Sequence, residues 1–204
     1  MQQYKIYTYT KMPENWSDVP CAHIDQYAWS QDYMPSADAQ LIMLQGYGFV
    51  LRMTCREKDP RAIYTNYNQP VYTDSCLEFF AAWDSSQDKY LNMEMNAKGT
   101  LLSCVGKDRY ERVPVLDVCG ELPMVQGFAN EDEWGILAQI PFSVIRGVYG
   151  IGEDTFVTGY TFKGNFYKCG DETAIAHYGS WSRVGTQAPD FHRPEYFGEL
   201  VIVS

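Results

Sequence analysis

Short runs in which apolar and polar residues alternate, bounded by Gly, Pro, Asn and Asp, recur along this chain, while long stretches of 3.6-residue period are scarce. Successive side chains of a strand point to opposite faces, so the pattern predicts a mostly β protein. Strands are expected near residues 5–10, 47–56, 75–83, 90–97, 100–105, 133–140, 156–167 and 198–203. A short helix is expected after Pro141, which suits a first helical turn, with Gly147 as its stop. No repeat, low-complexity tract or linker divides the chain, which reads as one domain over residues 1–204. Two segments, 57–74 and 168–196, are long and irregular; ordered loops of that length need partners for their backbone, and they are where a site is sought.

The sharpest alternation lies in two neighbouring runs. Leu77, Phe79, Ala81 and Trp83 form one apolar face, which leaves Cys76, Glu78 and Phe80 on the other. In the next run Leu91, Met93 and Met95 are apolar, and Asn92, Glu94 and Asn96 stand in a row opposite them. A hairpin across 84–89 that keeps the apolar faces together predicts Glu78 opposite Asn96 and Phe80 opposite Glu94. One sheet face then carries two carboxylates and two carboxamides around an aromatic. Carboxylates accept hydrogen bonds from vicinal hydroxyls and carboxamides both accept and donate, so the face suits a polyhydroxylated ligand. The alternative is an ordinary solvated outer face.

Composition narrows the partners. With 26 acidic and 16 basic residues the formal charge is −10, and an acidic field repels nucleic-acid phosphates and anionic lipid. No stretch approaches the roughly 20 apolar residues of a membrane span, and the start MQQYKIYTYT has no apolar run of signal-peptide length. A soluble, cytoplasmic protein is expected, although removal of a signal sequence would give the same view. Aromatics make up 15% of the chain and 16 of them are tyrosines, whose rings suit half-exposed binding surfaces. The six cysteines form no CxxC pair, and Cys55, Cys76 and Cys104 lie in apolar runs where a free thiol acts as a small hydrophobe, with disulfides as the alternative.

YTDSCLEFF at 72–80 resembles the aromatic-x-x-Asp-Ser-x-x-Glu-hydrophobic strand of family 9 carbohydrate-binding modules, and YLNMEMNAKGT and EWGILAQIPFSVI continue the resemblance in order. FYKCGDETAIAHYGSW at 166–181 and PDFHRPEYFG at 189–198 are similar to a C-terminal segment of one branch of that family. The resemblance implies an all-β, two-sheet antiparallel β-sandwich of immunoglobulin-like or DOMON-like type, with one short helix and long loops. It also implies that a sugar, short or terminal, is held between two aromatic plates within a ring of acids, amides and arginine. Tyr72 stands at the first plate and Glu78 at the hydroxyl-binding acid, with Glu94 and Asn96 near the polar positions of the next strand. The second plate falls in Asn165-Phe166-Tyr167-Lys168 or beyond it, which makes Tyr167 or Trp181 the partner of Tyr72 and adds Asn165 and Lys168 to the candidates.

Three further expectations complete the reading. Arg52 alternates with Leu51 and Met53, and is expected to pair with Glu78 or Glu94 or to touch ligand. His177 and His192 match no zinc spacing and are read as staples of the long C-terminal loop, and Gly159 and Gly164 as relief of crowding in a long strand. No cofactor is called for; structural calcium is known among related modules, and the acidic runs 131–133 and 171–172 are the candidates for it. Against saccharide binding stand two other classes. One is a glycoside hydrolase using Glu78 and Glu94, since a retaining enzyme needs two carboxyls about 5–5.5 Å apart. The other is a structural or interaction domain. Neither the particular sugar nor the oligomeric state is legible.

Overall fold

A computed structural model describes residues 2–30 and 32–204. These residues form thirteen strands and two α-helices. The strands are β1 (Gln3–Tyr9), β2 (Ala22–Ile24), β3 (Ala37–Leu44), β4 (Gly48–Cys55), β5 (Cys76–Ala82), β6 (Tyr90–Asn96), β7 (Leu101–Gly106), β8 (Arg112–Pro114), β9 (Met124–Ala129), β10 (Trp134–Pro141), β11 (Thr161–Gly170), β12 (His177–Ser180) and β13 (Gly198–Val203); α1 (Val115–Cys119) precedes β9, and α2 (Phe142–Tyr149) follows β10. All eight expected strands form. The five others are short or, like β3, built of helix-compatible residues (ADAQLIML), so that only tertiary pairing makes them strands. No helix among the described residues is long and apolar enough to cross a membrane.

Hydrogen bonds connect the strands in the order β8-β7-β6-β5-β11-β13-β1-β3-β4-β10-β9, with β12 added beside β11 and β2 beside β3. The path folds over at β1. Gln3–Tyr7 pair with β13, then Thr8 and Tyr9 pair with β3, so one strand belongs to both layers of the sandwich. Both pairings are parallel, which corrects the expectation of an antiparallel sandwich at this one strand. Between the layers Leu77, Phe79, Met93 and Met95 of β5 and β6 pack with Leu41, Leu51, Met53 and Ile136 of β3, β4 and β10, all fully buried. Burial of such side chains, at roughly 25 cal/mol per Å² of apolar surface, is the main force holding the layers together.

Local chemistry explains several boundaries. The helix after Pro141 runs past Gly147 and stops at Gly150, whose φ of 77° gives the left-handed turn that closes a helix C-terminus. A Cβ on Gly164 would lie 2.8 Å from Leu200 and 2.9 Å from the Phe80 carbonyl, so relief of crowding holds there. Gly159 instead lies before β11 begins, in a turn.

The β5–β6 hairpin pairs Glu78 with Glu94, Cys76 with Asn96 and Phe80 with Asn92, two residues away from the expected register. A two-residue slip preserves the faces because the side-chain period is two. The turn sets the register: the Asp84 carboxylate accepts hydrogen bonds from the Ser86 N–H and hydroxyl and from the Gln87 carboxamide. Two carboxylates therefore stand directly opposite each other.

Candidate functional site

The row Cys76, Glu78, Phe80, Asn92, Glu94 and Asn96 does turn away from the intersheet core, but it is not solvated: all six residues are at most 2% exposed. The C-terminal segment roofs it. Phe191 stacks on Tyr167, with ring centroids 4.1 Å apart, and Phe197 packs edge-on against Tyr90. With Val71, Phe80 and Leu102 they form a second apolar cluster on the outer side of the sheet. Between sheet and roof is a cavity of about 210 Å³, floored by Glu78, Glu94 and Cys169 and walled by Tyr72, Tyr178 and Phe191, with Arg109, Arg112, Asp171, Asp190 and His192 around it. Both long segments singled out from the sequence thus contribute.

Electrostatics inside the cavity are set by burial. The Glu78 carboxyl is held well above the usual carboxylate range, first by desolvation and then by the neighbouring charge of Glu94. Burial likewise pushes Glu94 up to about 7, although Arg112 opposes the shift. Glu94 Oε1 accepts from the Asn92 carboxamide at 3.0 Å and from Arg112 Nη1 at 3.4 Å. Among the described residues, the side-chain donor to Glu78 Oε1 is the Cys169 thiol, 2.9 Å away. Asp171, at the mouth, is also raised by partial burial.

His192 is part of the same network. Arg112 can only donate, so at 3.4 Å it donates to Nε2, and Nδ1–H of the neutral ring then donates to the Tyr90 hydroxyl oxygen at 2.8 Å. Burial, with Arg112 and Arg109 nearby, lowers the His192 pKa to about 3. Arg109 pairs with Asp190 at 3.2 Å, which ties the β7–β8 hairpin to the roof.

Of the residues picked from the sequence, Tyr72, Glu78 and Glu94 line the cavity, and Asn92 supports Glu94 from behind. The others do not line it, each for a physical reason. Asn96 turns to the 57–74 segment, donating to the Tyr64 carbonyl and to Asp74. Asn165 staples the roof, donating to the Ser182 carbonyl and accepting from its N–H. Tyr167 is wholly buried beneath Phe191, and Trp181 packs in the intersheet core against Tyr4 and Phe166. The aromatics that share the cavity with Tyr72 are therefore Tyr178, between the two expected positions, and Phe191, beyond both.

Lys168 pairs with Leu77 and so points inward, where it bonds His177 Nε2 at 2.6 Å and Glu57 at 3.2 Å. The His177 ring is a staple as expected: its Nδ1 bonds the Ile175 carbonyl, and burial with the Lys168 charge lowers its pKa to about 4. Arg52 lies on the other sheet, donating to Gln40 at 3.1 Å and facing Glu133 at 3.5 Å; the arginines beside Glu94 and Asp190 are Arg112 and Arg109. The signal for the latter two was a charged hairpin, KDRYER at 107–112, directly after the strand that pairs with β6.

At the two calcium candidates, some of the oxygen donors are already engaged by protein groups. In the run 131–133 Glu133 faces Arg52 and Asn130 is occupied by the Asp132 and Glu133 N–H groups, while Asp171 lines the cavity and Glu172 pairs with Arg61. Among the described residues, three metal-ligating side chains converge instead at Cys21, His23 and Asp38 and at Cys76, Glu78 and Cys169. All six cysteines are free thiols, with Cys55, Cys76 and Cys169 buried.

A model of carbohydrate-binding family 9 matches residues 12–202. Among solved structures, a putative carbohydrate-binding protein from Bacteroides uniformis is 28% identical, with 98% of this chain and 99% of that one covered and a TM-score of 0.80. A carbohydrate-binding module of family 9 from Caldicellulosiruptor kristjanssonii in complex with glucose is 11% identical, covering 98% and 95% at a TM-score of 0.70. The same kind of module from that organism in complex with cellotriose is 10% identical, covering 99% and 94% at a TM-score of 0.69. No curated protein matches the chain.

Proposed function

Since this chain belongs to carbohydrate-binding family 9, we propose that it binds a short or terminal saccharide without cleaving it, in the cavity between the β5–β6 floor and the C-terminal roof. The observation that carries this reading is the roofed cavity itself: carboxyls at the floor, arginines at one side, aromatic rings at the wall. Pyranose rings present apolar C–H faces that rest on Tyr72, Tyr178 or Phe191, while their hydroxyls donate to Glu78, Glu94 and Asp171 and accept from Arg112. At about 210 Å³ the space lies below the roughly 300–1,000 Å³ typical of drug-sized sites, so one sugar ring is enclosed and further rings extend outward past Tyr72.

The arrangement is poorly suited to hydrolysis. A glycosidase places its two carboxyls on either side of the scissile bond, one of them ionised. Here Glu78 and Glu94 are cross-strand partners on one floor, and burial holds both toward the neutral form. Neutral carboxyls both donate to and accept from hydroxyls, which serves recognition.

The test is isothermal titration with glucose, cellobiose and cellotriose, alongside an assay for released reducing sugar. Binding without turnover is expected, weakened by roughly 1–3 kcal/mol in Tyr72→Ala and in Tyr178→Ala, as for aromatic stacking on other flat ligands. Turnover that disappears in Glu78→Gln or Glu94→Gln would replace this reading with the hydrolase. Absence of any saccharide binding would leave the interaction-domain reading.

A further inference from the structure

Saccharide binding gives Glu78 a role toward the cavity but does not account for the thiols beside it. A fully buried carboxylate ordinarily has charged or N–H donors around it, yet the side-chain donor to Glu78 is the Cys169 thiol, among the weakest that proteins use. No Lys, Arg or His pairs with it among the described residues; Arg112 is engaged by Glu94. A second thiol stands beside the first. Cys76 and Glu78 are two residues apart on β5 and share its outer face, and Cys169 is the cross-strand partner of Cys76 on β11. The pairing brings two sulfur atoms and a carboxylate oxygen within 4.8 Å of one another.

We propose that Cys76, Glu78 and Cys169 form a three-donor site for a soft divalent cation of the zinc class, its fourth position open to the cavity above. Two sulfurs select against calcium and magnesium, which take oxygen ligands. Zn–S distances of about 2.3 Å in a tetrahedron put two sulfurs about 3.8 Å apart, so from within 4.8 Å the sulfurs draw together by no more than about an ångström, while Cys169 Sγ and Glu78 Oε1, 2.9 Å apart, open to about 3.5 Å. The ion enters from the cavity, which both Glu78 and Cys169 line. Binding displaces to solvent the two thiol protons and the proton that burial keeps on the Glu78 carboxyl, and the cation then supplies the positive partner that the Glu78 carboxylate lacks. One carboxylate oxygen holds the ion and the other remains available to a ligand in the cavity.

Reduced, chelator-treated protein titrated with Co²⁺ under a phosphine reductant tests the site. A thiolate-to-cobalt charge-transfer band saturating at one equivalent is expected; it should vanish in Cys76→Ser and Cys169→Ser and persist in Cys21→Ser, which removes the thiol of the exposed Cys21, His23 and Asp38 cluster. Glu78→Gln, which keeps both thiols, should retain the band with Co²⁺ affinity lowered at least about tenfold in competition with a chelating indicator, and it decides the matter should a serine variant fail to fold. The absence of a band in the wild type, a band that follows Cys21 rather than Cys169, or unchanged affinity in Glu78→Gln would overturn the proposal. Sugar titration of the metal-free protein reads the saccharide reading separately, so that either can fail without the other.

Discussion

The two sheets of the sandwich each have an outer face, and the two faces differ in what covers them. On the β3–β4–β10 sheet, Arg52 lies between Gln40 and Glu133, and Ile42 and Val50 are covered by Val19 with Trp16 and Tyr9 at the edges. Its charges are paired and partly wet. On the β5–β6–β11 sheet, Glu78 and Glu94 sit side by side under a roof of C-terminal chain, with Arg112 bonded to Glu94. Alternation produces both faces. A site arises only where the covering segment arches over the carboxyls and leaves a cavity, because desolvation there strengthens each hydrogen bond a ligand can make.

The roof is the first thing to break. Tyr167→Ala removes the wholly buried ring on which Phe191 stacks, and the loss in stability, read by urea denaturation, should be about 3–5 kcal/mol, as for other large aromatics in cores. Sugar affinity should fall with it even though Tyr167 does not touch the cavity. Wild-type stability from this variant would mean that the roof is held by something other than aromatic packing.

The floor is sharpened by pH. Glu94 has a folded pKa of about 7, above its ordinary value of 4.5, so the stability linked to it is fully present below about 4.5 and is lost as pH rises through 7. Glu94→Gln removes that titration. Relative to wild type the variant should gain about 3 kcal/mol between pH 4.5 and pH 8 in paired denaturation curves. His192 and His177 carry the opposite sign: their lowered pKa values stabilise fully above about 6.5 and fail progressively toward 3 and 4. A constant difference between wild type and Glu94→Gln across that range would show that the Glu94 carboxyl is not perturbed.

The smallest effect belongs to the other face. Arg52→Ala breaks a 3.5 Å pairing between side chains that keep about a quarter of their surface in water, and should cost less than about 1 kcal/mol with no change in sugar affinity. A sugar-binding defect there would place the ligand on the wrong sheet.

Much of this was readable from periodicity. The strict alternation of Leu91, Met93 and Met95 with Asn92, Glu94 and Asn96 set which side of β6 meets the core, and YTDSCLEFF pointed to the strand bearing the floor carboxyl. The second aromatic wall and the arginines were not readable in the same way. Tyr178, Phe191, Arg109 and Arg112 lie on short or irregular segments with no period to mark which way they point.

The sequence alone determined the β class, the sidedness of β5 and β6 and the presence of a polar row with two carboxyls, because those follow from a side-chain period of two. Tertiary structure alone decided that Glu78 faces Glu94, that Lys168 points into the sandwich, and that the polar row is roofed rather than solvated. Register depends on the turn at Asp84, and the roof on contacts between Tyr167 and Phe191, which are 24 residues apart. Such contacts are set by what meets in space and leave no periodic trace along the chain.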